Sequence, residues 1–121
     1  MSDDGRRSRA LARLAELGDE PGGEEFLSRM GVLGDWIVDF AFGDVHTRPG
    51  LDARERELII VAVLATLGSS DPQVAAHIRA LRALGVGWEE IEEAILQITP
   101  YAGVPRAVNA MKVLRDEQEA R

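Results

Sequence analysis

The chain has 121 residues, 45% of them hydrophobic and 29% charged, a composition typical of one globular domain and not of a disordered or fibrous protein. Its formal net charge of −7 repels phosphate backbones, so we expect no nucleic-acid partner. Because the chain contains no cysteine, disulfides, thiolate metal sites and thiol redox chemistry are excluded.

The longest nearly apolar run covers residues 58 to 67. It is about half of the roughly 20 residues that a membrane-spanning helix needs. No pattern of a basic, then apolar, then small-residue signal peptide opens the chain. We therefore expect no membrane partner and a cytoplasmic location.

Residues 1 to 20 are rich in charge and contain Leu11, Leu14 and Leu17, whose spacing of three suits a short amphipathic helix. A Pro-Gly-Gly sequence follows and interrupts it. We therefore predict a loosely attached N-terminal helix over residues 1 to 20 and a main domain over residues 21 to 121. Within the main domain, a second helix is predicted from residue 24 to about residue 42.

The segment from Gly43 to Leu51 places a histidine, an arginine and a rigid Pro-Gly turn directly before an apolar helix. We predict that it is a loop carrying His46 and Arg48. An arginine on such a loop could hold a substrate carboxylate through two hydrogen bonds, or form an ordinary surface ion pair. The sequence leaves both roles open.

The next helix has the clearest start signal in the chain. Asp52 is followed three residues later by Glu55, the pattern of a capping box. Because only Thr66 is polar between Leu58 and Leu67, we predict that this helix lies at the centre of the bundle.

Three further helices follow. One is predicted to begin near Asp71 with proline at its first position, and another after Gly87, where four glutamates suit the positive end of the helix dipole. Pro100 ends or bends that helix, and the last helix begins near Pro105. The sequence therefore predicts an all-α bundle of five to six helices.

Two ionisable side chains fall on apolar helix faces. A helical wheel places His77 among the apolar residues of its helix, so its imidazole points to the core. Glu57 shares a face with Val61 and Leu64. Each has a structural alternative to a catalytic role: His77 could bond a backbone carbonyl, and Glu57 could be a solvated first-turn residue.

Aromatic residues and metal ligands give weaker signals. Trp36 and Tyr101 are candidates for a substrate site, although aromatic residues of this kind more often pack in the core or at an interface. The two histidines, His46 and His77, are too far apart in sequence for a familiar ligand spacing, so we predict no metal site.

Four segments, in this order and spacing, together resemble the carboxymuconolactone decarboxylase family: GDVHTRPGLD at 43–52, RELIIVAVLATLG at 56–68, HIRALRALGVGWEEIEEAILQ at 77–97 and YAGVPRAVNA at 101–110. The resemblance implies an alkylhydroperoxidase-like all-α fold whose protomers form rings, commonly trimers or hexamers, with pockets near the subunit interfaces. It also implies an enzyme that removes carbon dioxide from a small carboxylated butenolide without a cofactor.

The resemblance extends to single positions. His77 matches the histidine of the family pattern, and Glu57 matches a glutamate of a related branch that reduces peroxides through a Cys-x-x-Cys pair. That pair is replaced here by SSDPQVAAH at 69–77, so thiol peroxidase chemistry is excluded. The decarboxylases usually have tryptophan in place of His46 and often cysteine in place of Ala102, which leaves the substrate open.

On this basis we expect a cofactor-independent lyase acting on a small carboxylated unsaturated lactone or a related acid. Decarboxylation needs a carbonyl that accepts the electron pair and an acid that protonates the resulting dienolate. Arg48 would orient an anionic group, with Arg79 in reserve. His77 or His46 would donate the proton, and Glu57 would hold one imidazole in the required tautomer.

Three alternatives stand beside the lyase. The first is a cofactor-free isomerase, cyclase or lactone-processing enzyme, because a fold does not fix a function. The second is a noncatalytic oligomeric binding protein. The third is a DNA-binding helix-turn-helix over residues 79 to 95, which is disfavoured because four glutamates open its second helix.

Overall fold

A computed structural model describes residues 3–20 and 22–120. This part of the chain contains helices and no strand, which confirms the predicted all-α fold. The α-helices are α1 (Asp3–Glu16), α2 (Glu24–Arg29), α3 (Val32–Trp36), α4 (Ala53–Leu67), α5 (Asp71–Ala83), α6 (Trp88–Ala102) and α7 (Val104–Glu119). A π-helix, Ile37–His46, continues directly from α3. None of the described helices combines the length and apolar character that crossing a membrane requires.

The seven α-helices of the described chain exceed the predicted five to six because the helix expected over residues 24–42 is divided. Gly31 has a φ of 60°, in the left-handed region that an α-helix cannot use, so α2 ends before it and α3 begins after it. The chain then widens into the π-helix and runs on to His46, four residues beyond the predicted end at residue 42.

Two apolar clusters hold the helices together. The larger joins α4, α5, α6 and α7 through the buried residues Val61, Ala65, Val74, Ile78, Leu81, Val86, Ile91, Ile95, Ile98, Ala110, Val113 and Leu114. The smaller joins α1 and the π-helix to α5 through Ala10, Leu14, Leu17, Val38, Phe42 and Ala80. Because α5 contributes to both clusters, it connects the two halves of the fold.

Helix α1 lies close against the π-helix. A Cβ atom placed on Gly43 would be 2.6 Å from the backbone oxygen of Arg6, so a side chain at this position would separate the two helices. Next to this contact, Arg6 Nη2 lies 2.6 Å from Asp44 Oδ2, and Arg7 Nε lies 2.8 Å from Asp39 Oδ1. Apolar packing and ion pairs thus fix how α1 sits on the π-helix.

The start of α4 confirms the predicted capping box. Asp52 Oδ1 accepts a hydrogen bond from the Glu55 backbone N–H at 2.8 Å, and Glu55 Oε1 accepts one from the Asp52 N–H at 2.9 Å. The predicted central position of this helix is only half right. α4 packs against α5, α6 and α7, but Ile59, Val63 and Leu67, spaced four residues apart, form an exposed apolar face.

Leu14 and Leu11 provide a matched test of how firmly α1 is docked, because Leu14 is buried in the smaller cluster and Leu11 is exposed. Leu14→Ala should lower the free energy of unfolding by about 2 to 4 kcal/mol through lost burial and a residual cavity. Leu11→Ala should change it by less than about 0.5 kcal/mol. Urea denaturation measures both, and equal small effects would show that α1 is not part of the folded core.

Candidate active site

Glu57 is the centre of a buried polar cluster between the two apolar clusters. It lies on α4, one turn after the capping box, and has no exposed surface (0%). Its helix face also carries Val61, which is fully buried, so the capping box and the apolar stripe of α4 together direct the carboxylate inward. This confirms the prediction that Glu57 lies on the buried face.

Each oxygen of Glu57 has its own histidine partner. His46 Nε2 lies 2.7 Å from Glu57 Oε2, and His77 Nδ1 lies 2.7 Å from Glu57 Oε1. His46 comes from the last turn of the π-helix and is 3% exposed, and His77 comes from α5 and is 7% exposed. Each oxygen of the carboxylate accepts one hydrogen bond, and these two bonds replace the hydrogen bonds to water that burial removes.

The electrostatics of Glu57 follow from two opposing effects. Burial raises the pKa of the Glu57 carboxyl, but the hydrogen bonds from His46 and His77 lower it by more. The pKa of Glu57 therefore lies below its ordinary value of 4.5. Glu57 is an ionised hydrogen-bond acceptor at neutral pH.

The far side of His46 is held by α1. Arg13 Nη1 lies 2.7 Å from His46 Nδ1, and the same nitrogen donates to the backbone oxygen of His46. The ring of Phe42 stacks on the imidazole with its centroid 5.3 Å away and the two planes 25° apart. These contacts fix both the position and the rotation of the His46 ring.

The placement of His46 corrects one prediction and Arg13 is an addition to the site. His46 does not lie on a loop: it ends the π-helix, whose wider turns carry the chain past residue 42 with a backbone pattern that α-helical periodicity does not reveal. Arg13 was not singled out from the sequence. The sequence feature that could have identified Arg13 is its position on the apolar stripe of α1 between Ala10 and Leu17, because a charged residue on a buried stripe needs a polar partner.

Within the described chain, the other candidate residues make no hydrogen bond or ion pair with this cluster. Arg48 is exposed, and its backbone oxygen accepts a hydrogen bond from Arg56 Nη2 at 2.9 Å. Arg79 is bound in ion pairs at the surface, 2.7 Å from Glu20 and 3.0 Å from Glu117, which raise the pKa of its guanidinium. Trp36 and Tyr101 are both largely exposed. The structure thus joins Glu57, His46 and His77 and does not join these four to them.

A cavity of about 340 Å³ borders the cluster on the His46 side. It is almost entirely apolar and is lined by Phe40, Ala41, Val45, His46, Leu51, Arg56, Ile59 and Ile60. His77 is not among its lining residues. A second cavity, of about 630 Å³, lies between α1, α2 and α3 and includes none of the three clustered residues. Within the described residues, no group of histidines and carboxylates is arranged to hold a metal ion.

Comparison with known proteins identifies the family. The sequence profile of the carboxymuconolactone decarboxylase family matches residues 32–116, which is more than half of the chain and includes the π-helix and all of α4 to α7 except the last residues of α7. The chain belongs to the carboxymuconolactone decarboxylase family. The match contains Glu57, His46 and His77, whereas Arg13 lies before it.

Three curated relatives of this family member cover about two thirds of its chain. It is 39% identical over 82 residues (68% of the chain) to a 4-carboxymuconolactone decarboxylase of Acinetobacter baylyi and 35% identical over 78 residues (64%) to a nitrosuccinic acid decarboxylase of Metarhizium robertsii. It is 30% identical over 78 residues (64%) to an uncharacterized 15.0 kDa protein of Paracoccus denitrificans. The matched segments span 60%, 53% and 58% of these relatives, respectively.

The lowered pKa of Glu57 predicts how the stability of this decarboxylase-family chain depends on pH. A carboxylate with a depressed folded-state pKa stabilises the fold fully above its unfolded-state value and loses this contribution as the pH falls through the folded-state value. The stability difference between the wild type and Glu57→Gln should therefore be constant near neutral pH and should shrink as the pH falls below 4.5.

Denaturant midpoints measured from neutral pH downward test this, with Glu89→Gln as a control because Glu89 is exposed in the first turn of α6. A difference between wild type and Glu57→Gln that grows on acidification would mean that burial, and not hydrogen bonding, controls Glu57.

Proposed function

We propose that this chain is a decarboxylase that acts, without a cofactor, on a small carboxylated unsaturated lactone or a related activated acid. One observation carries the proposal: the buried Glu57 carboxylate accepts from His77 Nδ1 at 2.7 Å, while His77 Nε2 has no hydrogen-bond partner among the described residues. An imidazole supported in this way on one nitrogen can transfer a proton through the other.

The printed names of two relatives support this class of substrate. One is a decarboxylase of 4-carboxymuconolactone and the other of nitrosuccinic acid. Both compounds join a carboxylate to a strongly electron-withdrawing group, a lactone in one and a nitro group in the other. Such a group can accept the electron pair that carbon dioxide leaves behind, so the protein does not have to supply an electron sink.

The reaction has two steps. The bond between the carboxylate carbon and its neighbouring carbon breaks, its electron pair moves into the conjugated acceptor, and carbon dioxide leaves. The resulting dienolate or nitronate takes a proton from His77 Nε2, and the histidine recovers that proton from water. Glu57 fixes the orientation of the His77 ring by accepting from Nδ1, and Arg48 would orient a second anionic group of the substrate.

The exposed apolar surface supports a homo-oligomer, a trimer or a hexamer. Large apolar side chains are exposed along α3, the π-helix and α4, and Phe40 and Ile59 line one cavity together. The exposed large apolar residues on these helices are Val32, Leu33, Trp36, Phe40, Val45, Ile59, Val63 and Leu67, and the part of this surface around the cavity, with Phe40, Val45 and Ile59, is the apolar face. Apolar surface of this kind is typical of a protein interface. A second protomer on this face would also close the cavity beside His46.

Replacing the proton donor should abolish turnover without unfolding the chain. For His77→Gln we expect kcat to fall by about a hundredfold or more, the contribution typical of a positioned general acid, with KM changed far less. Carbon dioxide release from a panel of unsaturated lactone acids and nitro acids provides the measurement.

Gln73→Ala is the matched control for this variant, because Gln73 lies on the same helix one turn earlier and is exposed. Full activity of His77→Gln would remove His77 from the mechanism. A wild type that is stabilised by these acids but releases no carbon dioxide would indicate an isomerase, a lactone-processing enzyme or a binding protein instead.

A charge on the apolar face should dissociate the oligomer. Ile59→Glu buries a carboxylate in the interface and should reduce the mass measured by light scattering, whereas Leu96→Glu, an exposed apolar residue on α6, should leave it unchanged. A wild-type mass of 13.2 kDa by light scattering, the mass of one protomer, would contradict this assembly.

A further inference from the structure

Arg13 reaches the active-site cluster from outside the family match. Its side chain is 17% exposed and extends from α1 between the buried residues Ala10 and Leu17. Its Nη1 lies 2.7 Å from His46 Nδ1 and also donates to the backbone oxygen of His46. Arg13 thus touches no oxygen of Glu57 and acts on it only through His46.

The chemistry of the guanidinium decides the protonation of His46. Arginine remains protonated in proteins and all its nitrogens donate, so His46 Nδ1 must accept and cannot carry a proton. The opposite nitrogen, Nε2, faces an ionised carboxylate that only accepts, so Nε2 carries the proton. His46 is therefore neutral, and both of its ring nitrogens are occupied.

His77 stands in a different position on the same carboxylate. Its Nδ1 donates to Glu57 Oε1, but no donor opposes its Nε2 among the residues that the structure describes. His77 can therefore gain and release a proton at Nε2 without losing any contact. A second proton on His46, in contrast, would face the guanidinium of Arg13 at hydrogen-bond distance.

From this geometry we propose that Arg13 is a positioning residue that holds His46 in its neutral form with the proton on Nε2, so that His77 alone of the two histidines transfers a proton to the substrate. The second part of the proposal rests on the proposed decarboxylase function, whereas the first part concerns only the protein. Arg13 makes no direct ion pair with Glu57, because the imidazole of His46 lies between them, and its Nε lies 3.5 Å from Glu16 Oε1 on the same helix.

Nitrogen NMR tests the first part directly, because the chain contains only two histidines. In long-range proton–nitrogen spectra of the 121-residue chain, labelled with ¹⁵N histidine and carrying no histidine tag, the two neutral tautomers and the imidazolium give distinct patterns. His77→Gln assigns the two rings. We expect His46 to show an unprotonated Nδ1 and a protonated Nε2 throughout the neutral range.

Three variants separate the donor from the attachment of α1. Arg13→Met keeps the length and removes the donor, so His46 should gain a proton on Nδ1 and kcat should fall about tenfold, the scale of one lost charge-assisted hydrogen bond. Arg13→Lys keeps a donor and should restore the wild-type His46 pattern. Arg7→Met is the control, because Arg7 bridges α1 to Asp35 and Asp39 without touching His46.

The outcomes are decisive for each part separately. A proton on His46 Nδ1 in the wild type, or an unchanged His46 pattern in Arg13→Met, would overturn the role of Arg13, whether or not any acid is decarboxylated. A His46 pattern that shifts equally in Arg7→Met would reduce Arg13 to a contact that merely attaches α1. If the NMR spectra show the expected His46 protonation but the chain releases no carbon dioxide, the role of Arg13 is supported. The decarboxylase function and the assignment of proton transfer to His77 are then rejected.

Discussion

The rest of the structure depends on a fully buried carboxylate that is kept ionised by two imidazoles. Removing a carboxylate from water costs several kcal/mol unless its oxygens receive hydrogen bonds, so Glu57 is tolerable only where His46 and His77 both reach it. The π-helix, α4 and α5 must therefore dock in one arrangement. The interaction that creates the site also specifies the packing, which makes the fold and the chemistry hard to change independently.

The cluster also links two halves of the molecule that have separate apolar cores. The larger core belongs to α4–α7, and the smaller one binds α1 and the π-helix to α5. Between them, Arg13, His46, Glu57 and His77 form a row in which each member touches the next. The imidazole of His46 separates the guanidinium of Arg13 from the oppositely charged carboxylate of Glu57. At the other end of the row, His77 Nε2 has no hydrogen-bond partner among the described residues.

The sequence predicts the part of the site that follows regular helical geometry. The burial of Glu57 and His77 can be predicted because both lie on α-helices whose apolar residues repeat with the α-helical period. The place of His46 could not be predicted because a π-helix has a different period and sequence reasoning ends the helix too early. Arg13 was missed because an arginine among leucines is usually explained by a charged end that reaches solvent. The sequence also does not predict which apolar face of α4 remains exposed, because this depends on how the neighbouring helices pack against it.

The ionisation of Glu57 is the most direct test of this account. Infrared difference spectra between the wild type and Glu57→Gln, recorded at neutral pH and again just above 4.5, distinguish a carboxylate from a carboxylic acid at this one position. The account predicts a carboxylate band in the wild type at both pH values and no carboxylic acid band. A carboxylic acid band for Glu57 would show that burial prevails over the two imidazoles, and the proton-transfer role built on that carboxylate would be contradicted.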